Sequence, residues 1–111
     1  MIDVINRFRR QNNVDPVGHI DSQVNQYCLM HCLEMSRQNS VCHAPDYYLN
    51  EWSEAVAMIQ YCEDWQDRVI FDILGSSDVG HRDLLLQSNT ISYASCIHDW
   101  VVYVTIRGTN N

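Results

Sequence analysis

The first third of the chain carries apolar residues at the spacing of two amphipathic helices. Ile2, Ile5 and Phe8 predict a helix over residues 2–12. Further steps of three and four predict a longer helix over residues 21–38, which Asp21 or Ser22 can cap by accepting hydrogen bonds from its first turn. The apolar stripe of this second helix comprises Val24, Cys28, His31, Cys32 and Met35.

Helical spacing continues through the middle of the chain. Apolar positions predict one helix over residues 51–61 and another over residues 64–74. Gly75 predicts the end of the latter, because glycine is common just past a helix C terminus. A short helix through residues 81–86 follows.

The last third changes to the composition of strands. Residues 91–97 and 100–106 are rich in β-branched and aromatic side chains, and His98-Asp99 separates them. This pattern predicts an antiparallel hairpin with a tight turn of open type. Helices followed by strands predict an α+β fold, in which helices pack on a small antiparallel sheet that ends in a C-terminal hairpin. The length of 111 residues predicts a single domain over 1–111.

The net charge of the chain indicates which classes of binding partner to expect. The chain has seven arginines, no lysine and fourteen acidic residues, which give a net charge of −7. Phosphate contacts rest on clustered basic residues, so we expect no nucleic-acid partner. The short cluster Arg7, Arg9 and Arg10 fits the last turn of the first helix, where cations offset the helix dipole. No apolar run is long enough for a transmembrane segment.

The sequence gives partial information on the location of the protein and on the redox state of its cysteines. The N terminus lacks the apolar stretch of a signal peptide, which leaves either a cytosolic protein or a mature fragment with an added Met. The chain has five cysteines, and an odd number leaves at least one thiol unpaired. We expect reduced cysteines that behave as small buried residues.

Several segments, taken in order, resemble one family. They are Asn6-Arg7-Phe8-Arg9, Cys42-His43-Ala44, Ser53-Glu54-Ala55-Val56-Ala57 and Gly80-His81-Arg82, with the stripe of the second helix between the first two. The set is similar to the CAP superfamily of cysteine-rich secretory proteins, insect antigen five and plant pathogenesis-related proteins. The chain departs from the family pattern at Ser53 and Ala55, which stand where the family has Gly and Asn.

The resemblance implies a compact α-β-α sandwich with a polar cleft. It implies that His43, Glu54 and His81 converge there and hold a divalent metal, with Zn²⁺ as a weak and optional cofactor. The second acidic residue of the family's cleft has no clear counterpart, and Asp72 is the nearest candidate. Tyr47 and Tyr48 are expected at the cleft mouth.

Three functions follow as hypotheses. The first is a non-catalytic CAP-like binding domain, whose partner is an unknown small ligand (a lipid, sterol or glycan) or a protein. The second is a metal-assisted hydrolase with Glu54 as general base beside a zinc-bound water. The third is an interaction module with a vestigial cleft. The resemblance also implies an extracellular location.

Overall fold

The computed structural model describes residues 1–45, 51–77 and 79–110, without the side chain of Ser77. In chain order the elements are α1 (Ile2–Gln11), α2 (Ser22–Gln38), β1 (Ser53–Gln60), α3 (Trp65–Asp67), a π-helical stretch (Arg68–Leu74), α4 (Gly75–Ser77), α5 (Val79–Gln87), β2 (Thr90–His98) and β3 (Val101–Thr109). The α+β class predicted from the sequence is confirmed.

Among the described residues the sheet has three antiparallel strands in the order β1-β3-β2. The predicted C-terminal hairpin is formed by β2 and β3, but its two-residue turn consists of Asp99 and Trp100, one residue later than the predicted His98-Asp99, because His98 still pairs with Val101. Both turn residues have positive φ, 51° and 64°. Positive φ at both central residues is what a type I′ turn requires, and its twist suits a two-residue hairpin.

The predicted helix over residues 51–61 is wrong, because this segment is strand β1. Apolar residues at 52, 56 and 59 have helical spacing, but the same segment also alternates. Ala55 and Ala57 are buried against the core, and Ile59 packs on that core from the same side. The small alanines weaken this alternation in the sequence, and pairing along the whole length of β3 outweighs the local helix preference.

Side chains of the central strand β3 point alternately to the two faces of the sheet, and a layer of helices packs on each face. Val102, Val104 and Ile106 face a core shared with α1, the π-helical stretch and α5. On the opposite face, Tyr103 packs with Cys32 and Met35 of α2. Helices therefore cover both faces of the sheet, which confirms the compact α-β-α sandwich.

Helix α2 forms where its N-terminal cap and its apolar stripe predicted. The Asp21 side chain accepts hydrogen bonds from the backbone amides of Gln23 and Val24. Asn39 ends the helix in the left-handed conformation, with φ 53°. The buried residues of α2 are Cys28, His31, Cys32, Met35 and Ser36.

Gly75 does not end its helix, contrary to the prediction. Its φ of −72° is helical, its amide donates to the carbonyl of Ile70, and helical backbone continues into α4. A Cβ at this position would lie 2.5 Å from Phe8 Cε1 and 2.5 Å from the Ile70 carbonyl oxygen. Glycine is present because α1 packs directly against this backbone.

Two arginines connect α1 and α5, which lie in the same helical layer. Arg9 lies in the last turn of α1 as predicted, yet it is buried and donates to the carbonyls of Leu85 and Ser88 at the end of α5. Arg82 of α5 donates to Asn12 Oδ1.

Within the described ranges, no helix combines the length and apolar character needed to cross a membrane.

Candidate functional site

Three side chains from remote segments line one open cleft of about 410 Å³. His43 lies in the segment after α2, Glu54 is the second residue of β1, and His81 is in the first turn of α5. These are the three residues predicted to converge. The cleft is completed by Trp52, Ser53, Gly80 and Leu84.

Glu54 is the most constrained of the three. Its side chain is only 1% exposed. Oε1 accepts hydrogen bonds from His43 Nδ1 at 3.0 Å and from the Ala44 amide at 2.9 Å. Oε2 accepts from Arg107 Nε at 2.9 Å. Both oxygens of this carboxylate are therefore engaged by donors from the chain itself.

Arg107 is the residue that sequence reasoning missed. It lies directly opposite Glu54 in the pairing of β1 with β3, and its side chain is 2% exposed. The signal was present in the alternation of Tyr103, Thr105 and Arg107 along one face of β3. Using it requires knowing that residues 53–60 form the adjacent strand, whereas the spacing of apolar residues predicts a helix there.

The hydrogen bond to Glu54 determines the form of the His43 ring. A carboxylate can only accept, so Nδ1 carries the hydrogen, and in the neutral ring Nε2 then carries the lone pair. The His43 side chain is 59% exposed, so this ring reaches solvent from the edge of the cleft. His81 is half-buried on the α5 side.

The two thiols near this site are inert. Burial raises the pKa of Cys28 to about 12, although the nearby Arg107 opposes this shift. Burial also raises the pKa of Cys32 to about 11, opposed by its hydrogen bond with Thr105. All five cysteines lie in the described ranges, and all carry free thiols. Neither Cys28 nor Cys32 has the thiolate character that metal binding or nucleophilic attack requires.

The remaining predicted site residues lie elsewhere or beyond description. Tyr47 and Tyr48 fall outside the described residues. Asp72 is exposed on the π-helical stretch and is not among the described residues that line the cleft. Within the described part of the chain, no group of three or more His, Cys, Asp or Glu side chains is arranged to hold a metal ion.

A second, larger depression of about 640 Å³ adjoins the cleft. The two share Trp52, Ser53, Gly80 and Leu84, so they form one continuous surface. Its further lining includes the carboxylates of Glu51 and Asp83 and the amide of Gln87. A small ligand held at the histidines would therefore have a polar surface beside it.

Comparison with known proteins informs the fold. No protein-family model matches the sequence, and no curated protein sequence matches it. Among the similar solved structures is an outer surface protein from Borrelia burgdorferi, with a TM-score of 0.69. The similarity covers 99% of this chain and 90% of that chain at 14% sequence identity. At this identity the likeness concerns the fold alone.

Proposed function

We propose that this chain is a non-catalytic CAP-like binding domain whose cleft takes up a divalent cation weakly. The observation that carries the proposal is the convergence of His43, Glu54 and His81 in one open cleft. The resemblance to the CAP superfamily implies these same three residues from the sequence alone. Their convergence therefore supports the family assignment together with the function.

The donor chemistry fits a weak site with two protein ligands. We assign ligation of the cation to the imidazoles of His43 and His81, which suit Zn²⁺. Both oxygens of Glu54 already accept hydrogen bonds, so we assign it the outer role of orienting His43, as carboxylates do at many histidine metal sites. The remaining coordination positions would be filled by water or ligand, so the cation would exchange readily.

When bound, the cation supplies a Lewis acid to which an oxygen atom of a ligand can attach. The adjoining depression of about 640 Å³ gives such a ligand space and polar contacts. A small lipid, sterol or glycan, or a protein, stays the proposed partner. An extracellular location is also a proposal, supported by the family resemblance and by the outer surface protein that shares the fold.

The hydrolase hypothesis gains no support from the surroundings of Glu54. A general base must take a proton from a water in the cleft. The Glu54 side chain is 1% exposed, and both of its oxygens already accept hydrogen bonds from His43, Ala44 and Arg107 rather than facing a water in the cleft. We therefore favour binding over catalysis.

Calorimetric titration with Zn²⁺ tests the proposal. Every protein carries Cys42→Ser, because the exposed thiol beside His43 can itself bind zinc. We expect a saturable binding heat from this parent, and loss of that heat when His43→Ala and His81→Ala are added.

The matched control removes two imidazoles outside the cleft. His19→Ala with His98→Ala alters two exposed side chains that do not line the cleft, so the heat should persist. Equal heats from the cleft variant and the parent would remove the metal site. A folded parent that gives no zinc heat at all would instead favour the interaction module with a vestigial cleft.

A further inference from the structure

The buried pair of Glu54 and Arg107 connects the sheet to the exposed His43 ring. The two residues are direct partners in the β1–β3 register, on the face of the sheet that α2 covers. Directly opposed side chains in an antiparallel pair are close enough to interact without long reach. Both are at most 2% exposed, so water does not solvate either charge.

The Glu54 carboxylate is held by donors from two separate segments of the chain. Arg107 Nε, from β3, donates to Oε2, while the Ala44 amide, from the segment after α2, donates to Oε1. His43 Nδ1 donates to the same Oε1 at 3.0 Å. The Arg107 guanidinium is a permanent cation in contact with this carboxylate, and their charge-assisted hydrogen bond fixes the orientation of the buried group.

We propose that Arg107 is a positioning residue for His43. By fixing Glu54 as an acceptor, it holds the neutral His43 ring in the tautomer with hydrogen on Nδ1 and the lone pair on Nε2. The effect passes through Glu54, whose two oxygens are hydrogen-bonded to Arg107 on one side and to His43 on the other. The proposal rests on the proposed function only for the use of that lone pair, because the tautomer follows from the hydrogen bonds alone.

This role differs from simple support of the fold. An exposed neutral histidine without a fixed partner populates both tautomers, because water serves either nitrogen. A residue that only stabilised the sheet could be replaced without altering the tautomer, provided that the protein still folds. The ratio of the two His43 tautomers is therefore a readout of positioning and not of stability.

Nitrogen-15 NMR of the histidine rings at pH 9, where neutral imidazole predominates, measures this ratio in the metal-free protein. In the wild type we expect the Nδ1–H form of His43 to exceed the other by about tenfold, as a strong charge-assisted hydrogen bond implies. Arg107→Met should move the ratio toward that of exposed His19. Arg107→Lys, which restores a cation, should return it part of the way.

Thr105→Val is the matched control. It removes the hydroxyl of another buried polar residue on the same face of β3, two residues from Arg107, and leaves the hydrogen bonds of Glu54 unchanged. We expect it to lower stability and to leave the His43 ratio unchanged. Arg107→Met protein that folds and keeps the wild-type ratio would overturn the proposal.

The wild-type measurement alone can also overturn the proposal. If the His43 ratio in the wild type equals that of His19, the proposal fails even when no Arg107 variant folds. Zinc is absent from this experiment. A failure to bind zinc in the calorimetric experiment would therefore contradict the metal site without affecting the tautomer result.

Discussion

Both charges of the Glu54–Arg107 pair are buried in the sheet, and each therefore depends on the other. Removing one partner of a buried ion pair leaves an unsolvated charge and typically costs about 3–5 kcal/mol. Replacing both with apolar side chains is often far less costly. The pair is thus weak evidence for stability, and a stronger reason for its presence is the orientation that it gives to His43.

Buried thiols beside this pair give the molecule a predictable response to alkaline pH. Burial raises the pKa of Cys28 to about 12 and that of Cys32 to about 11, from an ordinary value of 9.0. Between about pH 9 and pH 11 the unfolded chain loses these protons while the native protein keeps them. The free energy of unfolding should therefore fall as pH rises, by up to about 1.4 kcal/mol per pH unit for each thiol.

Urea denaturation at several pH values, with Cys28→Ala and Cys32→Ala combined as the comparison, measures this contribution. Other groups titrate in the same range, so the informative quantity is the difference in slope between the two proteins. The double variant should be less stable at pH 8 but lose stability more slowly above pH 9. Parallel slopes would show that these thiols are not protected by the native state.

The element scale shows where sequence patterns succeed and where they fail. The α2 stripe, a cap at Asp21 or Ser22 and the C-terminal hairpin were all predictable, because each depends on local spacing and capping. Strand β1 was not predictable, because its residues have good helix propensity and its structure depends on pairing with the distant β3. Misassigning β1 also concealed Arg107, whose partner Glu54 is identifiable only from the strand register.

Gly75 provides a test of how closely two helical elements approach. An added Cβ would meet both Phe8 and the Ile70 carbonyl at 2.5 Å, well inside normal contact. Gly75→Ala must therefore displace α1 or distort the π-helical stretch, and overpacking of this kind costs about 1–3 kcal/mol. Thermal or urea unfolding measures the loss.

Gly18→Ala is the matched control for this substitution. A Cβ at Gly18 would find only the Asn89 carbonyl oxygen, at 3.7 Å, which is ordinary contact. The change in stability there should stay within about 0.5 kcal/mol, as for most surface substitutions. If the two alanine variants were equally stable, the close packing of α1 on Gly75 would be incorrect.

At the scale of the whole molecule, the cleft exists because three layers meet at one end of the sheet. Glu54 comes from an edge strand, His81 from the helical layer on one face, and His43 from the chain that leaves α2 on the other. The resemblance to the CAP superfamily implied these three residues, since matching motifs in order needs no knowledge of the fold. The donors that fix Glu54 could not be identified in this way, because they depend on strand register and on the backbone at Ala44.

The central strand β3 belongs to both cores, so we expect the two helical layers to unfold together. Met35→Ala loosens the α2 side and Leu74→Ala the opposite side, and each should cost about 2–5 kcal/mol. Because β3 must lose its packing in either case, the urea m-value should not change. Hydrogen exchange should show that either substitution lowers the protection of α2 and α5 amides equally.

Exposed positions on the same helices control for local effects. Met30→Ala on α2 and Val79→Ala on α5 alter side chains that are 58% and 73% exposed, so both should change stability by less than about 0.5 kcal/mol. The contrary outcome would be α2 amides whose free energy of opening is lower than that of global unfolding and is not changed by Leu74→Ala. Helix α2 would then open as a separate unit. His43, which follows α2, would then lose its fixed position without global unfolding, and the cleft would be only as stable as that helix.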